Sequence, residues 1–519
     1  MRRARAGSAA LLATVLLAGC TVGPNWTSPS MWAPGSWFSS HPASTPRAVA
    51  SRPALQPIDP AWWNILHDAE LTSLEQRVAA ANLNVRLATI RLAESRSQRR
   101  ITGADQFPTL QADGSYTGEK ISSKGVLGIL GGGGGNTFGS QGSSANGLGG
   151  RSGGVPTQAT GATSIPSFSL WQYGFDASWE LDLWGRVRRE VEGADASVEQ
   201  SEDSRRDSLL SVLAEVARDY VQLRGIQEQL RIAQANIVTA KQSLDLTQAR
   251  YHGGLTTELD VANAAAQLAT NRADIPQLEQ QRDSSINALS FLLGEGPQAL
   301  RAELITPHAI PPVPPLVPVG LPSELARRRP DIREAEDQLH AATADIGVAV
   351  ADFYPKVTLD GSVGLQALRF KDLGNWAAHQ YGIGPTISLP IFEGGRLRAT
   401  LQLRKVQQQE AALNYQQTVL QAWHDVDNAM TAYAAEQARR DALAESVAQN
   451  RTALSLARAR YRQGVSDFLN VLDAERGLLA AQEQLAQSNA NVSGNMVQLY
   501  KALGGGWETS FPVADTKKS

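Results

Sequence analysis

Side chains that carry out thiol, metal or redox chemistry are scarce in this chain. Its 519 residues include one cysteine, seven histidines and four methionines. A single cysteine excludes a disulfide within the chain, and no group of residues has the spacing of a metal site or of a nucleophile with its base. The formal net charge is only −3, and no basic block of the kind that binds nucleic acid occurs. We therefore expect a protein that is not an enzyme, needs no cofactor or metal and binds no nucleic acid.

Long hydrophobic runs are also missing, apart from Ala9–Ala18 near the start. This run is too short to cross a bilayer as a helix, and it follows three arginines, which is typical of a signal peptide. It ends in Leu17-Ala18-Gly19-Cys20, which resembles the lipobox of bacterial lipoproteins. The resemblance implies a signal peptide over 1–19, a covalent lipid on Cys20 and, because residue 21 is not Asp, sorting to the outer membrane. We predict a tether over 20–60; an ordinary signal with a chance cysteine is the alternative.

The chain contains an internal repeat with a constant offset of 210 residues (395 − 185 = 210). Gly185-Arg186-Val187-Arg188 recurs as Gly395-Arg396-Leu397-Arg398, and Ala249-Arg250-Tyr251 recurs as Ala459-Arg460-Tyr461. A constant offset over this length indicates one structural unit written twice. We predict a first repeat, a second repeat and a C-terminal tail over 61–320, 321–505 and 506–519.

Alternation of apolar and polar residues predicts four β-strands in two pairs. The strands are predicted over 107–120 with 168–184, and over 355–368 with 379–392. Thirteen tilted residues at ~3.3 Å each cover roughly the thickness of a bilayer core. Four strands cannot close a barrel, but three copies of the chain would supply twelve. A soluble sandwich with one wet face is the alternative. Residues 121–167, rich in Gly and Ser, are expected to form a mobile surface loop without a core.

Apolar residues at seven-residue intervals predict long coiled-coil helices, for example along Leu209, Val216 and Leu223. Helical patterning near 60–104 opens the first repeat, and a helix over 323–353 is expected in the second. A rod of 65 residues is ~100 Å long, which predicts turns ~100 Å from the strands. A soluble coiled-coil dimer is the alternative. The paired long helices are predicted over 186–250 with 257–293, and over 395–461 with 466–503.

Several motifs in order carry a family resemblance that extends over 20–505. They are Phe175 to Arg186 (FDASWELDLWGR), Arg328 to Arg333 (RRPDIR), Leu389 to Arg396 (LPIFEGGR) and Leu472 to Arg476 (LDAER). Together they resemble the TolC-like outer membrane efflux proteins, in particular their OprM-like lipoprotein branch, the NodT family.

The resemblance implies a mixed α/β membrane protein that assembles as a homotrimer. Its twelve-stranded β-barrel would continue into a long α-helical coiled-coil barrel in the periplasm. The implied function is a passive exit duct for drugs and other toxic small molecules, which an inner-membrane pump of the RND type delivers through a periplasmic adaptor. Two alternatives are the exit duct of a type I protein secretion system and a structural coiled-coil lipoprotein of the envelope.

The resemblance also implies a periplasmic gate at Leu469, Asp473 and Arg476, spaced so that all three share one helix face. A solvated helix face is the alternative for Asp473. The residues 210 positions earlier, Leu259, Asn263 and Ala266, lack the charges. Two helix turns resemble surfaces on which adaptors rest, with ordinary turn chemistry as the alternative. Their residues are Gly253, Gly254, Leu255, Gln463, Gly464 and Val465.

Overall fold

A computed structural model describes residues 21–30, 51–120 and 168–511 of the chain. The predicted signal peptide, Cys20, part of the tether, the Gly/Ser-rich segment 121–167 and the end of the C-terminal tail lie outside the described residues. The chain divides into two compact units, which we call the strand unit and the helix unit. Each unit draws segments from both predicted repeats. Within the described residues the strand unit comprises 21–22, 103–120, 168–188 and 350–397, and the helix unit comprises 23–30, 51–102, 189–349 and 398–511.

The strand unit contains one four-stranded antiparallel sheet with the strands in chain order. Its strands are β1 (Thr109–Glu119), β2 (Phe168–Glu180), β3 (Lys356–Ala367) and β4 (His379–Ser388). The register places apolar residues opposite one another on one face, for example Phe175 opposite Val363. Polar pairs such as Asp176 with Ser362 occupy the other face. The predicted alternation is therefore present in the sheet.

Two strands end about four residues earlier than predicted. After β2 the backbone turns, with the Leu183 amide donating to the Leu181 carbonyl at 2.7 Å, and Gly185 adopts a positive φ of 84°. After β4, Pro390 has no N–H group to donate to a neighbouring strand. Sheet pairing therefore stops where the local backbone cannot continue it.

Seven helices of more than ten residues lie in the described ranges. The two longest both contain 67 residues and begin 210 residues apart. Two shorter ones both contain 22 residues. In chain order they are α1 (Ala69–Ala81), α2 (Leu83–Ala104), α3 (Arg186–His252), α4 (Glu258–Leu292), α5 (Pro330–Ala351), α6 (Arg396–Arg462) and α7 (Phe468–Leu503).

Two predicted helical regions are interrupted for reasons visible in the sequence. The region near 60–104 breaks at Asn82, whose side chain accepts hydrogen bonds from the amides of Asn84 and Val85 and so caps α2. The helix predicted from 323 begins at Pro330, because the residue before a proline avoids helical geometry. Arg329 is extended, with ψ of 122°, and ends the one-turn helix Leu325–Arg328.

The heptad positions form the core of the helix unit. Leu209, Val216 and Leu223 of α3 are fully buried, together with Val419 and Val426 of α6. A second apolar cluster near the turns joins α6 and α7 with α4. Mutual burial of these stripes is the coiled-coil packing that the seven-residue spacing predicts.

One long helix contains a proline. Pro276 lies within α4, where it leaves the carbonyl of Arg272 without its helical donor. The residue 210 positions later is Ala486 of α7. In the described parts of the chain, no helix is long and apolar enough to cross a membrane.

Candidate functional site

Both long hairpins turn through the same hydrogen-bonded motif. After α3, the Leu255 amide donates to the Arg250 carbonyl at 2.8 Å and the Gly254 amide to the Tyr251 carbonyl at 2.9 Å. After α6, the corresponding bonds from Val465 and Gly464 are both 3.0 Å. This is the Schellman arrangement, which needs a left-handed residue after the helix. Gly254 and Gly464 supply it with φ of 69° and 75°.

The six residues predicted to dock an adaptor are all exposed in the single chain. In each turn an apolar side chain follows the left-handed glycine. Leu255 is 68% exposed and Val465 is 64% exposed. Each turn therefore exposes one apolar side chain next to glycine residues whose backbone is accessible.

The three predicted gate residues share the exposed face of α7. Leu469 is 57% exposed, and Asp473 and Arg476 are also exposed. The opposite face, which includes Phe468 and Leu472, is buried. The predicted helix geometry is thus present, and the three side chains are available to another chain.

Within one chain, Arg476 does not pair with Asp473. Its Nε donates to Oε1 of Gln267 on α4 at 2.7 Å, and Gln267 donates to Asn271 at 2.8 Å. Among the described residues of one chain, Asp473 has no hydrogen bond or ion pair. The predicted gate cation is therefore held by the first repeat, and the gate carboxylate is left for solvent or a neighbouring copy.

A buried ion pair beside the predicted gate residues was missed by the sequence reasoning. Glu475 lies one residue before Arg476 but points into the helix seam, where its side chain is 8% exposed and bonds Arg458 of α6 at 2.8 Å. The hydroxyl of Ser243 on α3 also donates to Glu475, and Arg458 donates to the Thr239 carbonyl at 3.3 Å. The sequence did contain a signal for this pair. Glu475 occupies a position on the packed face of α7, and the opposite charge of Arg458 lies seventeen residues earlier, on the other side of the turn.

The first-repeat turn also holds the second-repeat helix. Arg250 donates to the carbonyls of Tyr461 and Arg462 at 2.7 and 3.1 Å, and its guanidinium lies 4.7 Å from the Tyr461 ring centre. A cation at these last carbonyls stabilises the negative end of α6. The first-repeat residues that match the predicted gate carry no charge: Leu259 is 67% exposed, and Ala266 is a small exposed side chain.

Acidic side chains accumulate where α5 faces α3. Burial, together with the carboxylates of Asp203 and Glu199, raises the pKa of Asp337 to about 8. Burial also raises the pKa of Asp203, although Arg206 and Arg333 contact it at 2.5 and 3.1 Å. The protonated, neutral form of these carboxyl groups is therefore favoured more than it would be in water.

The Arg329-Pro330-Asp331 motif has a structural role. The Arg329 guanidinium bonds Asp331 and Asp425 and donates to the Ala502 carbonyl at 3.0 Å. It thereby joins the start of α5 to the last turn of α7. In the described ranges no group of three or more His, Cys, Asp or Glu side chains could hold a metal ion.

A four-stranded sheet combined with paired, very long helices defines the class of outer-membrane efflux channels. The model of the outer membrane efflux protein family matches residues 74–295 and 321–505, so the chain belongs to this family. It is a family of channels rather than enzymes, which confirms the resemblance and the predicted efflux function.

Individual relatives agree over nearly the whole chain. The chain is 30% identical over 507 residues to the toluene efflux pump outer membrane protein TtgC of Pseudomonas putida, covering 97% of this chain and 96% of that one. It is 30% identical over 509 residues to the outer membrane protein OprJ of Pseudomonas aeruginosa, covering 98% and 97%. The solved outer-membrane channel OprN superposes with a TM-score of 0.80 at 34% identity, covering 94% of this chain and all of that one.

Proposed function

We propose that three copies of this chain form the outer-membrane exit duct of a tripartite efflux system. The observation that carries the proposal is the four-stranded sheet with an apolar face. Its outer strands, β1 and β4, have no partner at their free edges among the described residues of one chain. Open edges are unfavourable unless another strand covers them. Three copies would close them into a barrel of twelve strands.

Two apolar helix stripes support the same assembly. Along α2 and α6, large apolar side chains at helical spacing are about half exposed in the single chain, which is unusual for a protein that remains a monomer. A neighbouring copy would bury them. The stripes are Leu83, Leu87, Ile90 and Ile101 of α2, and Leu403, Val406, Leu413 and Leu420 of α6.

The gate of this duct is formed by Leu469, Asp473 and Arg476. Three-fold symmetry turns each exposed side chain near the axis into a ring of three, and such rings control passage. A ring of Asp473 carboxylates repels itself unless cations lie between them. Arg476 lies three residues later on the same helix face, and it would supply the cation if it exchanged Gln267 for a neighbour's carboxylate.

The two hairpin turns are the docking surface for a periplasmic adaptor, which connects the duct to an inner-membrane pump of the RND type. The duct itself is passive and uses no cofactor. The lipid on Cys20 and the sheet anchor it in the outer membrane. Toluene appears in the name of a relative, and small toxic compounds are the proposed cargo here.

Single-channel conductance in a planar bilayer tests the proposal. The wild-type protein should give a low, flickering current, and Asp473→Ala should give a large, steady current because the ring has lost its charge. Asn263→Ala, at the matching position of the first repeat, is the control and should behave as the wild type. An inserted, folded protein that conducts in neither form would overturn the channel. Equal, open currents would retain the channel and overturn the gate.

A further inference from the structure

The first described residues, which belong to the predicted tether, make specific contacts with the rest of the chain although most of them are exposed. We call residues 21–30 the N-terminal strap. In the strand unit, the Val22 amide donates to the Trp184 carbonyl at 3.0 Å, just after β2. Thr21 lies against Gly185, where an added Cβ would come within 2.9 Å of the Thr21 methyl carbon. Thr21 is therefore held at the end of β2 that leads into α3.

The matching glycine of the second repeat, Gly395, makes no equivalent contact with any described residue. Gly395 has nearly the same backbone angle, with φ of 89° against 84° for Gly185. Nothing described lies within 4 Å of a Cβ added at Gly395. The left-handed turn needs a glycine in both repeats, but only Gly185 also makes room for the strap.

In the helix unit, the strap lies against α3 and α5. Gly23 meets Gly347 so closely that a Cβ on Gly23 would lie 2.6 Å from the Gly347 backbone. The side-chain Oδ1 of Asn25 accepts a 2.6 Å hydrogen bond from the guanidinium of Arg189, a residue that is only 4% exposed. Trp26 stacks on His340, with ring centres 4.7 Å apart and an angle of 15° between the planes.

These contacts continue in one direction along α5. Gly347, His340 and Glu336 contact strap residues 23, 26 and 28 in turn, so the strap runs antiparallel to the helix. His340 also contacts Glu192 at 3.2 Å, and Glu192 bonds the same Arg189 at 2.6 Å. The strap is thus joined to α3 and α5 through one connected set of side chains.

We propose that the N-terminal strap is a positioning element, which fixes the lipid-bearing N-terminus beside the end of β2. The inference rests on the lipid anchor of the proposed function. Cys20 is one residue before Thr21, so its Cα lies within ~3.8 Å of the Thr21 Cα. A free tether of forty residues would instead let the anchor wander over roughly 35 Å. Docking of the strap would therefore fix the depth of the acyl chains in the membrane relative to the sheet.

A spacer variant tests the position of the anchor directly. Thr-Gly-Ser-Gly-Ser is inserted between Cys20 and Thr21, so that the residue after the cysteine is unchanged while the anchor gains up to ~17 Å of slack. Lipid labelling of Cys20 should equal that of the wild type, and the amount of heat-resistant trimer in the outer membrane should fall several-fold. Trimer at the wild-type level would overturn the inference.

A second variant removes docking instead of adding slack. Gly347→Ala places a methyl group within 2.8 Å of the Arg189 side chain, which holds Asn25. Gly494→Ala in α7 is the control, because nothing described lies within 4 Å of the added carbon. Alanine favours a helix at both positions. A loss of trimer for Gly347→Ala alone is therefore assigned to the strap, and equal trimer in both variants contradicts the inference.

A cross-link shows which step each variant changes. Cysteines at Ser28 and Glu336, whose side chains are in contact, should be joined by a short bis-maleimide in the wild-type background. The spacer variant should keep this cross-link, and Gly347→Ala should lose it. If wild-type Cys20 carries no lipid, the proposed lipid anchor fails and this inference fails with it. A lipidated wild type with a normal spacer variant overturns only the inference.

Discussion

The two hairpin turns have the same backbone and different surroundings. Their hydrogen bonds agree within 0.2 Å, and both use a left-handed glycine. Tyr251 of the first turn is 41% exposed, whereas Tyr461 of the second is 3% exposed beneath Arg250. Arg250 of the first turn thus donates to the end of the second-repeat helix, whereas Arg460, at the matching position of the second turn, is exposed and makes no such bond among the described residues.

The difference shows how a duplicated unit acquires two roles. Helix length and turn glycines determine the backbone, and both survive in each copy. A few side chains then distinguish the copies: Arg458 and Glu475 of the second correspond to Gln248 and Ala265 of the first. The second hairpin carries the proposed gate and also the bonds that hold it in place.

The largest expected effect on resistance comes from replacing the left-handed glycine that both turns share. Gly254→Val and Gly464→Val should each abolish drug resistance, because a β-branched residue does not adopt the left-handed backbone that supports the proposed docking surface. Trimer in the membrane should remain at the wild-type level. Resistance is measured by minimal inhibitory concentrations in a strain that lacks its own channel.

Asparagine, which tolerates the left-handed region, is the matched replacement for both glycines. Gly254→Asn and Gly464→Asn should keep most of the resistance. Resistance that survives in either valine variant would separate that turn from adaptor docking.

The buried ion pair offers the next largest effect. Arg458→Met leaves the Glu475 carboxylate buried without its cationic partner, which should destabilise the folded protein by about 3 kcal/mol. The melting temperature of the purified protein reports the loss. The double variant Arg458→Met with Glu475→Gln should recover much of it, because no buried charge is then left unpaired.

The control for this pair is Gln248→Met, at the exposed first-repeat position that matches Arg458. Its expected change is within ~0.5 kcal/mol. Equal effects of Arg458→Met and Gln248→Met would show that the two matching positions contribute equally to stability, against the proposed difference between the repeats.

A smaller loss of stability is expected at the first turn, where Arg250 caps the end of α6. Arg250→Ala removes a cation and two hydrogen bonds from the end of α6 and should cost about 1 kcal/mol. Arg460→Ala, at the matching exposed position, should cost almost nothing. Thermal unfolding of both variants checks the difference, and a larger effect of Arg460→Ala would reverse the proposed asymmetry.

The last prediction concerns the pH dependence of stability at Asp337 of α5. The raised pKa of Asp337 exceeds the usual value of ~3.9, so its proton stabilises the folded chain fully below about pH 4. That stabilisation is lost as the pH rises through about 8. Asp337→Asn should therefore flatten the decline of melting temperature between acidic and alkaline buffer. Exposed Glu410→Gln should leave the decline intact; a decline that Asp337→Asn does not change would contradict the prediction.

Periodic features were predictable from the sequence because each residue reports its own environment. Alternation located the four strands of the antiparallel sheet, and seven-residue spacing located the buried stripes of α3, α6 and α7. The short parallel strand pair Arg52–Ala54 with Leu316–Pro318 was not predicted, because three residues are too few to show a period. The ends were less predictable: β4 stops before Pro390, and α2 starts again at Asn82, where a single side chain overrides the pattern. Contacts between distant segments were not predictable. Arg476 with Gln267, and Trp26 with His340, join residues whose partners no local pattern specifies.

Pro276 gives the first-repeat return helix a mechanical property that its copy lacks. A helix resists bending through its ladder of backbone hydrogen bonds, and a proline removes one of them. At that level α4 is compliant, whereas α7, with Ala486 at the matching position, keeps an unbroken ladder. The hairpin that carries the proposed gate therefore has the stiffer return helix, and we expect bending to occur first in α4.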